Sequence, residues 1–304
     1  MEWEPQAEQA FIKMPLSDMA KAMAKVFAEK KARFNKSSKV TMKEIEATKR
    51  VYFGVVSEES RLKEWDKRIK EGETDLMEKM EKEARDILSK EIDMFDIELC
   101  HAQYFRCTSQ IAEIRQLAAK LKKRLQELKV SEMVADMLHD DERILPHNRI
   151  SFSISACPNS CTGTAHKEFG IHGTAIPIVT DVECSQCYAC VNRCPDNAVL
   201  LINGKPKIDY GKCKICEACV KVCPTGTLGV EKRGYALTVG GAFGRHHKVG
   251  YEIYRVATEA ELFSALEKSI QFIKEKAIGE ESITSILTRT GIAPIFEKIY
   301  KSAN

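Results

Sequence analysis

The sequence predicts an α+β fold that carries a cysteine-rich insert and follows an all-α N-terminal region. Two segments that alternate apolar and polar residues, FDIEL before Cys100 and RISFSIS before Cys157, are typical of strands. A segment with apolar residues at helical spacing lies between them. Eight of the 12 cysteines fall within residues 184–223, which marks that segment as a separate metal-binding unit.

The first 54 residues predict a small helical module. The pair Thr41 and Glu44 fits a capping box at the start of a helix. Upstream, a core-facing stripe is predicted where apolar residues recur at helical spacing. Its members are Met19, Met23, Val26 and Phe27.

Residues 55–97 predict a charged helical connector. Acidic and basic residues alternate one helical turn apart there, which favours solvated helices interrupted near Gly72. A stripe of apolar residues along this segment is expected to pack on the body or on another subunit. The stripe consists of Trp65, Ile69, Leu76, Met80, Ala84, Ile87 and Leu88.

The body is predicted over residues 98–180 and 230–304. An amphipathic helix is expected to start just after Cys107 and to aim its N-terminus at the cysteines. Downstream, YALTVGG and YEIYRV predict two strands, and residues 259–278 predict a helix.

The insert, predicted over residues 181–229, repeats the pattern C-x2-C-x2-C-x3-C-P. This is the pattern of two-cluster bacterial ferredoxins, in which the fourth cysteine of each run binds the other [4Fe–4S] cluster. One predicted ligand set is Cys184, Cys187, Cys190 and Cys223, and the other is Cys194, Cys213, Cys216 and Cys219. Zinc knuckles are the alternative, but two complete runs that each close on Cys-Pro favour iron.

The remaining four cysteines form two pairs that are distant in the sequence. They are Cys100, Cys107, Cys157 and Cys161. Four thiolates that converge can hold a further [4Fe–4S] cluster, so the sequence predicts three clusters.

These motifs also support a family resemblance. ISACPNSC, the insert and TVGGAFGRHHKVG together resemble the C-terminal half of sirohaem-containing sulfite and nitrite reductases, especially the dissimilatory and anaerobic types with an inserted ferredoxin domain. The resemblance covers about residues 98–304 and implies a sirohaem/[4Fe–4S] reductase half-domain. It implies that the four cysteines of the body bind one cluster and that Cys161 is the axial thiolate of sirohaem.

The resemblance also suggests partners for the sirohaem carboxylates and the substrate. Gly240, Gly241 and Gly244 would allow close approach to the cofactor plane, with a glycine turn between strands as the alternative. Arg245 and Lys248 would face its carboxylates. Two further cations flank the cysteine pairs and are candidates for the same role, with a surface position as the alternative; they are Arg106 and Lys167.

Two departures from the family pattern affect what the resemblance implies. The upstream pair Cys100 and Cys107 has six intervening residues where the family usually has five. Residues 1–99 do not resemble the family's N-terminal half, which helps to enclose sirohaem. That segment weakly resembles the small C-terminal module of light-independent protochlorophyllide reductase, in its Trp-x-x-x-Ala start, its Met14-Pro15 step and its Val-Thr helix opening, which suggests a fold and no activity.

Three functions remain open. The first is an enzyme that passes electrons through the ferredoxin clusters to a Cys161-linked [4Fe–4S]–sirohaem centre that reduces sulfite or nitrite. The second is an electron-transfer subunit of a larger anaerobic redox complex, with three clusters and no functional sirohaem. The third is a non-catalytic adaptor that docks a redox complex through its helical N-terminal part.

The sequence also indicates the setting in which the protein works. No G-x-G-x-x-G fingerprint follows a strand, so we expect a protein electron donor, a ferredoxin or a reductase subunit, and a dimer or hetero-complex. The net charge of +3 and the absence of a basic segment with stacking aromatics argue against a nucleic-acid partner. No leader or membrane-spanning segment is expected, and the use of cysteine favours a reducing, anaerobic cytoplasm.

Overall fold

The computed structural model describes residues 1–52, 63, 67, 75–139, 142–279 and 281–300. The chain divides into two compact units. Unit 1 comprises Met1–Phe95, Leu125–Ile150 and Ile278–Glu280, and unit 2 comprises Asp96–Arg124, Ser151–Ala277 and Glu281–Asn304. This division differs from the predicted one because Leu125–Ile150, which lies within the predicted body, belongs to the unit that contains the N-terminal helices.

Unit 1 is helical apart from one short pair of strands. In chain order, its five described helices are Pro5–Ile12, Asp18–Phe34, Met42–Tyr52, Asp75–Ser89 and Val130–Met137. Strand β1 (Glu2–Trp3) pairs in parallel with β2 (Lys39–Val40). The prediction of an all-α N-terminal region is therefore wrong at these four residues.

The second helix of unit 1 holds three of its neighbours through buried lysines. Lys21 donates to the last carbonyl of the first helix at 3.1 Å. Lys25 donates to the carbonyl of the residue that follows the fourth helix. Lys30 donates to the carbonyls of the two residues that follow the fifth helix, at 2.5 and 2.9 Å. Carbonyls at a helix C-terminus lack partners inside the helix and carry partial negative charge, so each ammonium stabilises a helix end. Burial lowers the pKa of Lys21, against the opposing effect of Asp18.

The predicted helix signals in unit 1 are largely confirmed. Thr41 and Glu44 form the capping interaction, since the Thr41 N–H and Oγ1–H donate to Glu44 Oε2 at 3.0 and 2.6 Å. Three members of the upstream stripe are buried, but Met19, in the first turn of its helix, is 51% exposed.

Only part of the predicted connector lies within the described residues. There, the helix Asp75–Ser89 carries Ala84 in a buried position, with Ile87 and Leu88 half-buried. The other members of the predicted stripe fall on undescribed residues or undescribed side chains. These are Trp65, Ile69, Leu76 and Met80.

The core of unit 2 is a five-stranded mixed sheet. Its strands are β3 (Phe95–Leu99), β4 (Ile150–Ser155), β5 (Phe169–Val179), β8 (Leu228–Val239) and β9 (Tyr251–Ala257), and they lie side by side in that order. Strands β4 and β5 are parallel, whereas β8 is antiparallel to both β5 and β9. The predicted strands are confirmed, and the long strand β5 was not predicted.

Helices and a small hairpin complete this part of the chain. The hairpin joins β6 (Val199–Ile202) to β7 (Lys205–Ile208). The helices are Ile114–Glu127, Ala189–Arg193, Ala218–Lys221, Glu259–Lys276, Ile283–Thr290 and Ala293–Tyr300. None of the described helices combines the length and the apolar character needed to cross a membrane.

The cysteine-rich insert emerges from the end of the β5–β8 ladder. Val179, the last residue of β5, pairs with Leu228, the first residue of β8. The two ends of the intervening segment are therefore held side by side. This placement explains how a sheet can accept a long insertion without losing its register.

The helix predicted to start just after Cys107 begins later, at Ile114. Before it, the backbone N–H groups of Ile111 and Ala112 both donate to the carbonyl of Ala156, at 3.0 and 3.1 Å. The predicted helix start is therefore wrong, whereas the predicted orientation of the helix N-terminus toward the cysteines stays a prediction. These two amides instead tie the segment after Cys107 to the end of β4.

Candidate functional site: three sets of four cysteines

Neighbouring strands bring the first two cysteine pairs together. Cys100 directly follows β3, and Cys157 follows the end of β4 by two residues. The N–H of Cys100 donates to the carbonyl of Ile154 at 3.1 Å, and the N–H of Ala156 donates to Cys100 Sγ at 3.3 Å. The sheet thus places two pairs that are distant in sequence at one edge.

All four cysteines of the body meet there. Burial raises the pKa of the Cys157 thiol, and the nearby thiols of Cys107, Cys161 and Cys100 raise it further. Cys100 and Cys157 are buried, Cys107 is half-buried and Cys161 is exposed. We call these four residues the body set.

The insert carries two further sets, and the runs exchange their fourth cysteines. We call Cys184, Cys187, Cys190 and Cys223 the outer set; these residues line a common cavity. Burial raises the pKa of Cys190, and the thiols of Cys223 and Cys184 add to this effect. Cys223 comes from the second run, as the ferredoxin pattern predicts.

The other set contains the fourth cysteine of the first run. We call Cys194, Cys213, Cys216 and Cys219 the inner set. Burial raises the pKa of Cys219 to about 12, with further contributions from the thiols of Cys213, Cys216 and Cys194. A group with this pKa is protonated at neutral pH unless a metal binds it, since a coordinating metal deprotonates the thiol.

The backbone of the two runs turns in the same way. Gln186 and Tyr188 in the first run, and Ile215 and Glu217 in the second, have positive φ angles of 56°, 58°, 49° and 63°. Such angles are unfavourable for residues with side chains, above all for a β-branched one such as Ile215. The strain has a structural result, because these turns wrap backbone amides around the sulfurs.

Several of those amides donate to cysteine sulfurs. The N–H groups of Gln186 and Ile215 lie 3.4 and 3.3 Å from the Sγ atoms of the cysteines two residues before them. The N–H groups of Ala198 and Leu228 lie 3.2 and 3.5 Å from the sulfurs of the fourth cysteines of the two runs. N–H donors of this kind stabilise the negative charge of thiolates and of the clusters that they bind.

A network of hydroxyls holds the loop that contains Cys157 and Cys161. Thr162 Oγ1 lies 2.6 Å from Ser153 Oγ and 2.8 Å from Ser155 Oγ. The alternation of SFSIS places both serines on one face of β4, which is the sequence signal that could have revealed this network. In the same loop, the side-chain amide of Asn159 donates to Cys161 Sγ at 3.1 Å.

The four predicted basic residues differ in their surroundings. Arg106 and Arg245 are exposed. Lys167 forms an ion pair with Glu98 at 2.8 Å. Lys248 donates to Thr288 Oγ1 at 2.9 Å and lies over the ring of Tyr251.

Two of the three predicted glycines have a packing role. At Gly240, which has φ of +83°, a Cβ atom would lie 2.4 Å from Leu287 Cδ1. At Gly241 it would lie 2.6 Å from the carbonyl oxygens of Ala165 and Lys167. Gly244 has φ of +138° and faces open space. The turn thus needs glycine for its own packing, and the role of these glycines beside a cofactor stays a prediction.

The three thiol sets match the ligand requirement of [4Fe–4S] clusters in number and type, since each cluster takes four cysteine thiolates. Among the residues that the structure describes, no group of three or more His, Cys, Asp or Glu side chains is spaced to hold a single metal ion. Cys161 differs from the other members of the body set because it is exposed.

Comparison with known proteins identifies one family. Residues 108–304 match the family model described as the nitrite and sulphite reductase 4Fe-4S domain. No curated protein matches the chain.

Two solved structures are similar in part. The crystal structure of dissimilatory sulfite reductase I (DsrI) has a TM-score of 0.49 and 18% identity, and the match covers 74% of this chain and 57% of that one. The NirA protein of Mycobacterium tuberculosis has a TM-score of 0.38 and 15% identity, over 67% of this chain and 27% of its own. The match therefore spans little more than half the length of the first and about a quarter of the second.

Proposed function

Because the chain belongs to the nitrite and sulphite reductase 4Fe-4S domain family, we propose that it is an iron–sulfur oxidoreductase, or a subunit of one, that reduces sulfite or nitrite. The outer and inner sets would hold two ferredoxin-type clusters and the body set a third, and the bound clusters would supply the path by which electrons reach the substrate. The observation that supports this proposal is the grouping of the 12 cysteines into three sets of four, in which the outer set lines one cavity and Cys100 Sγ accepts a hydrogen bond from the residue before Cys157.

Sirohaem is the second part of the proposal. When bound, it supplies the metal centre at which the substrate oxyanion is reduced. Cys161 would hold the sirohaem iron in this proposal, because it belongs to the body set and is exposed. The domain model matched by this chain names the 4Fe-4S cluster, and the sirohaem assignment depends on the chemistry of the residues around Cys161.

The cationic residues have a defined task in this proposal. Sirohaem carries several carboxylates, which need cationic partners when they are buried. Arg245 and Arg106 are exposed and can turn toward such groups. The two lysines, Lys167 and Lys248, would first have to leave their present partners, so we rank them behind the arginines for carboxylate or oxyanion binding.

A second candidate function has its own support. The spaces beside Gly240 and Gly241 are filled by protein atoms, and Lys167 is already paired with Glu98. A chain with these features can act as an electron-transfer subunit that has three clusters and no functional sirohaem. In either case we propose a protein electron donor, assembly as a dimer or hetero-complex, and work in an anaerobic cytoplasm.

The two functions differ in one measurement on anaerobically purified protein. Three four-iron clusters give about 12 irons per chain, and a sirohaem adds one iron together with absorption bands that iron–sulfur clusters lack. We expect these bands when the protein is co-expressed with a sirohaem supply and its partners. Full iron content without the bands would favour the electron-transfer subunit, and about eight irons at full occupancy would contradict the third cluster.

The variant Cys157→Ser tests the assignment of the body set. Serine keeps the size of the side chain but removes the thiolate, so we expect loss of about four irons and of one cluster signal in electron paramagnetic resonance (EPR). The outer and inner sets use none of these residues and should keep their signals. Loss of all cluster signals from a variant that is still folded would contradict three independent sets.

A further inference from the structure

The inner set is fastened directly to the sheet. The N–H of Ala175 on β5 donates to the carbonyl of Ile215 at 2.8 Å, and Arg255 on β9 donates to the carbonyl of Cys213 at 2.6 Å. On β8, Arg233 forms an ion pair with the buried side chain of Glu217. Three adjacent strands thus hold the loop that carries Cys213 and its neighbours.

A cleft of about 640 Å³ separates the inner set from the body set. Cys216 of the inner set and Cys157 of the body set both line it. Its walls also carry one acidic side chain and three basic ones, which are Asp196, Arg193, Lys214 and Lys221.

Lys221 crosses from one side of this cleft to the other. It lies two residues after Cys219 and two before Cys223. Its ammonium donates to the carbonyls of Thr108 and Gln110 at 3.0 and 2.8 Å. Thr108 directly follows Cys107 of the body set. The Lys221 side chain therefore joins the segment after Cys219 of the inner set to the segment after Cys107 of the body set.

We propose that Lys221 is a positioning residue that fixes the inner set against the body set and so sets the rate of electron transfer between them. The inference rests on the proposed function, because it requires clusters in both sets. The step moves one electron from the reduced inner cluster to the oxidised body cluster, with no bond made or broken. The electron comes from the protein donor by way of the outer set, whose Cys187 is exposed.

The structure explains why this contact can affect transfer without affecting assembly. Lys221 binds no iron in this scheme, and its side chain is exposed, so water can replace its ammonium at the two carbonyls. The other ties of the inner set run to β5, β8 and β9. The contact from Lys221 runs to Thr108 and Gln110 in the loop after Cys107, so its loss removes a direct link between that loop and the helix that carries Cys219.

Three variants of the full chain, purified anaerobically, test the proposal. Lys221→Met removes the donor and keeps much of the apolar stem. Lys221→Arg keeps a donor that can reach carbonyls. Lys214→Met is the matched control, because it removes the same charge from the same cleft without removing the two carbonyl contacts.

Two measurements are made on each variant. Rapid freeze-quench EPR after mixing with a low-potential reductant gives the delay between reduction of the ferredoxin-type clusters and reduction of the body cluster. The body cluster's signal is the one that Cys157→Ser lacks. In fully reduced protein, the magnetic interaction between clusters reports their separation without any turnover.

We expect Lys221→Met to slow transfer to the body cluster about tenfold, which corresponds to about 1.4 kcal/mol, and to weaken the magnetic interaction, with unchanged iron content. Lys221→Arg should keep most of the transfer rate and of the magnetic interaction, and Lys214→Met should change neither quantity. Equal effects of Lys221→Met and Lys214→Met would overturn the proposal, as would loss of iron from Lys221→Met alone. If wild-type protein holds all three clusters and the body cluster is never reduced through the insert, the proposed function itself fails.

Discussion

The variant Gly240→Ala separates a packing role of the glycine turn from a cofactor role. Gly240 has φ of +83°, and an added Cβ would lie 2.4 Å from Leu287 Cδ1. The left-handed conformation costs an alanine roughly 1–2 kcal/mol, and forcing a methyl group into a filled space costs about 1–3 kcal/mol more. We therefore expect a loss of about 2–5 kcal/mol in the free energy of unfolding.

A double-mutant cycle with Leu287→Ala isolates the clash. Leu287 is 1% exposed, so its truncation alone should cost about 2–5 kcal/mol. In the double variant the Cδ1 atom is gone, and only the backbone strain of the alanine that replaces Gly240 remains. The double variant should therefore lose about 1–3 kcal/mol less than the sum of the losses in the two single variants.

The cycle is measured by urea unfolding under anaerobic conditions, with the iron content of each variant as a control. Additive costs would show that Leu287 does not fill the space beside Gly240. A Gly240→Ala variant of wild-type stability that binds less sirohaem would refute the packing explanation and restore the glycine to the cofactor site. A change in the slope of the unfolding transition would indicate that the transition itself had changed.

Three further predictions concern single side chains. Burial alone would raise the pKa of Glu44, but hydrogen bonds from Thr41 and Asn35 lower it. The contribution of Glu44 to stability should therefore be present above pH 4.5 and be lost as the pH falls through the lower folded pKa. Glu44→Gln should flatten that pH dependence in an acid titration of unfolding. Burial lowers the pKa of His172 from 6.5 to about 4. The free energy of unfolding should therefore be roughly 3 kcal/mol higher above pH 6.5 than below pH 4, because only the unfolded chain binds a proton readily at His172 between these values. His172→Phe should remove this dependence of the unfolding free energy on pH. Arg245→Ala should lower sirohaem retention and leave iron–sulfur EPR signals intact, whereas the exposed control Arg115→Ala should leave both unchanged.

Local patterns predicted much of unit 2. FDIEL and RISFSIS alternate in polarity because one face of each strand is buried, and they became β3 and β4. The helix Glu259–Lys276 has a capping box at Thr258 and a regular apolar face, so both its type and its start could be predicted from neighbouring residues. Each of these signals needs only a few residues of context.

The elements that were missed lack such signals. Strand β5 is buried on both faces along most of its length, so its apolar and polar residues do not alternate. The expected helix start after Cys107 failed because the N–H groups of Ile111 and Ala112 bond to Ala156, a contact with a distant strand end. The parallel pair β1–β2 is too short for any periodic pattern to show.

The candidate site divides in the same way. Spacing alone predicted how the eight cysteines of the insert group together, since a C-x2-C-x2-C-x3-C-P run encodes its own local turns, and in the structure Cys223 lies with the outer set and Cys194 with the inner set. The contacts of Lys221 with Thr108 and Gln110 left no trace in the sequence, because residues more than 100 positions apart meet only after folding.

The sequence by itself thus determined which ligand type the chain offers: 12 cysteines, eight of them at a spacing that is typical of iron–sulfur proteins. Only the tertiary structure decided where that chemistry takes place. The sheet brings Cys100 beside Cys157, the ladder of β5 and β8 fixes both ends of the insert, and Leu287 fills the space beside Gly240. Ligand type depends on residue identity and spacing, whereas distance between sites depends on pairings that connect remote parts of the chain.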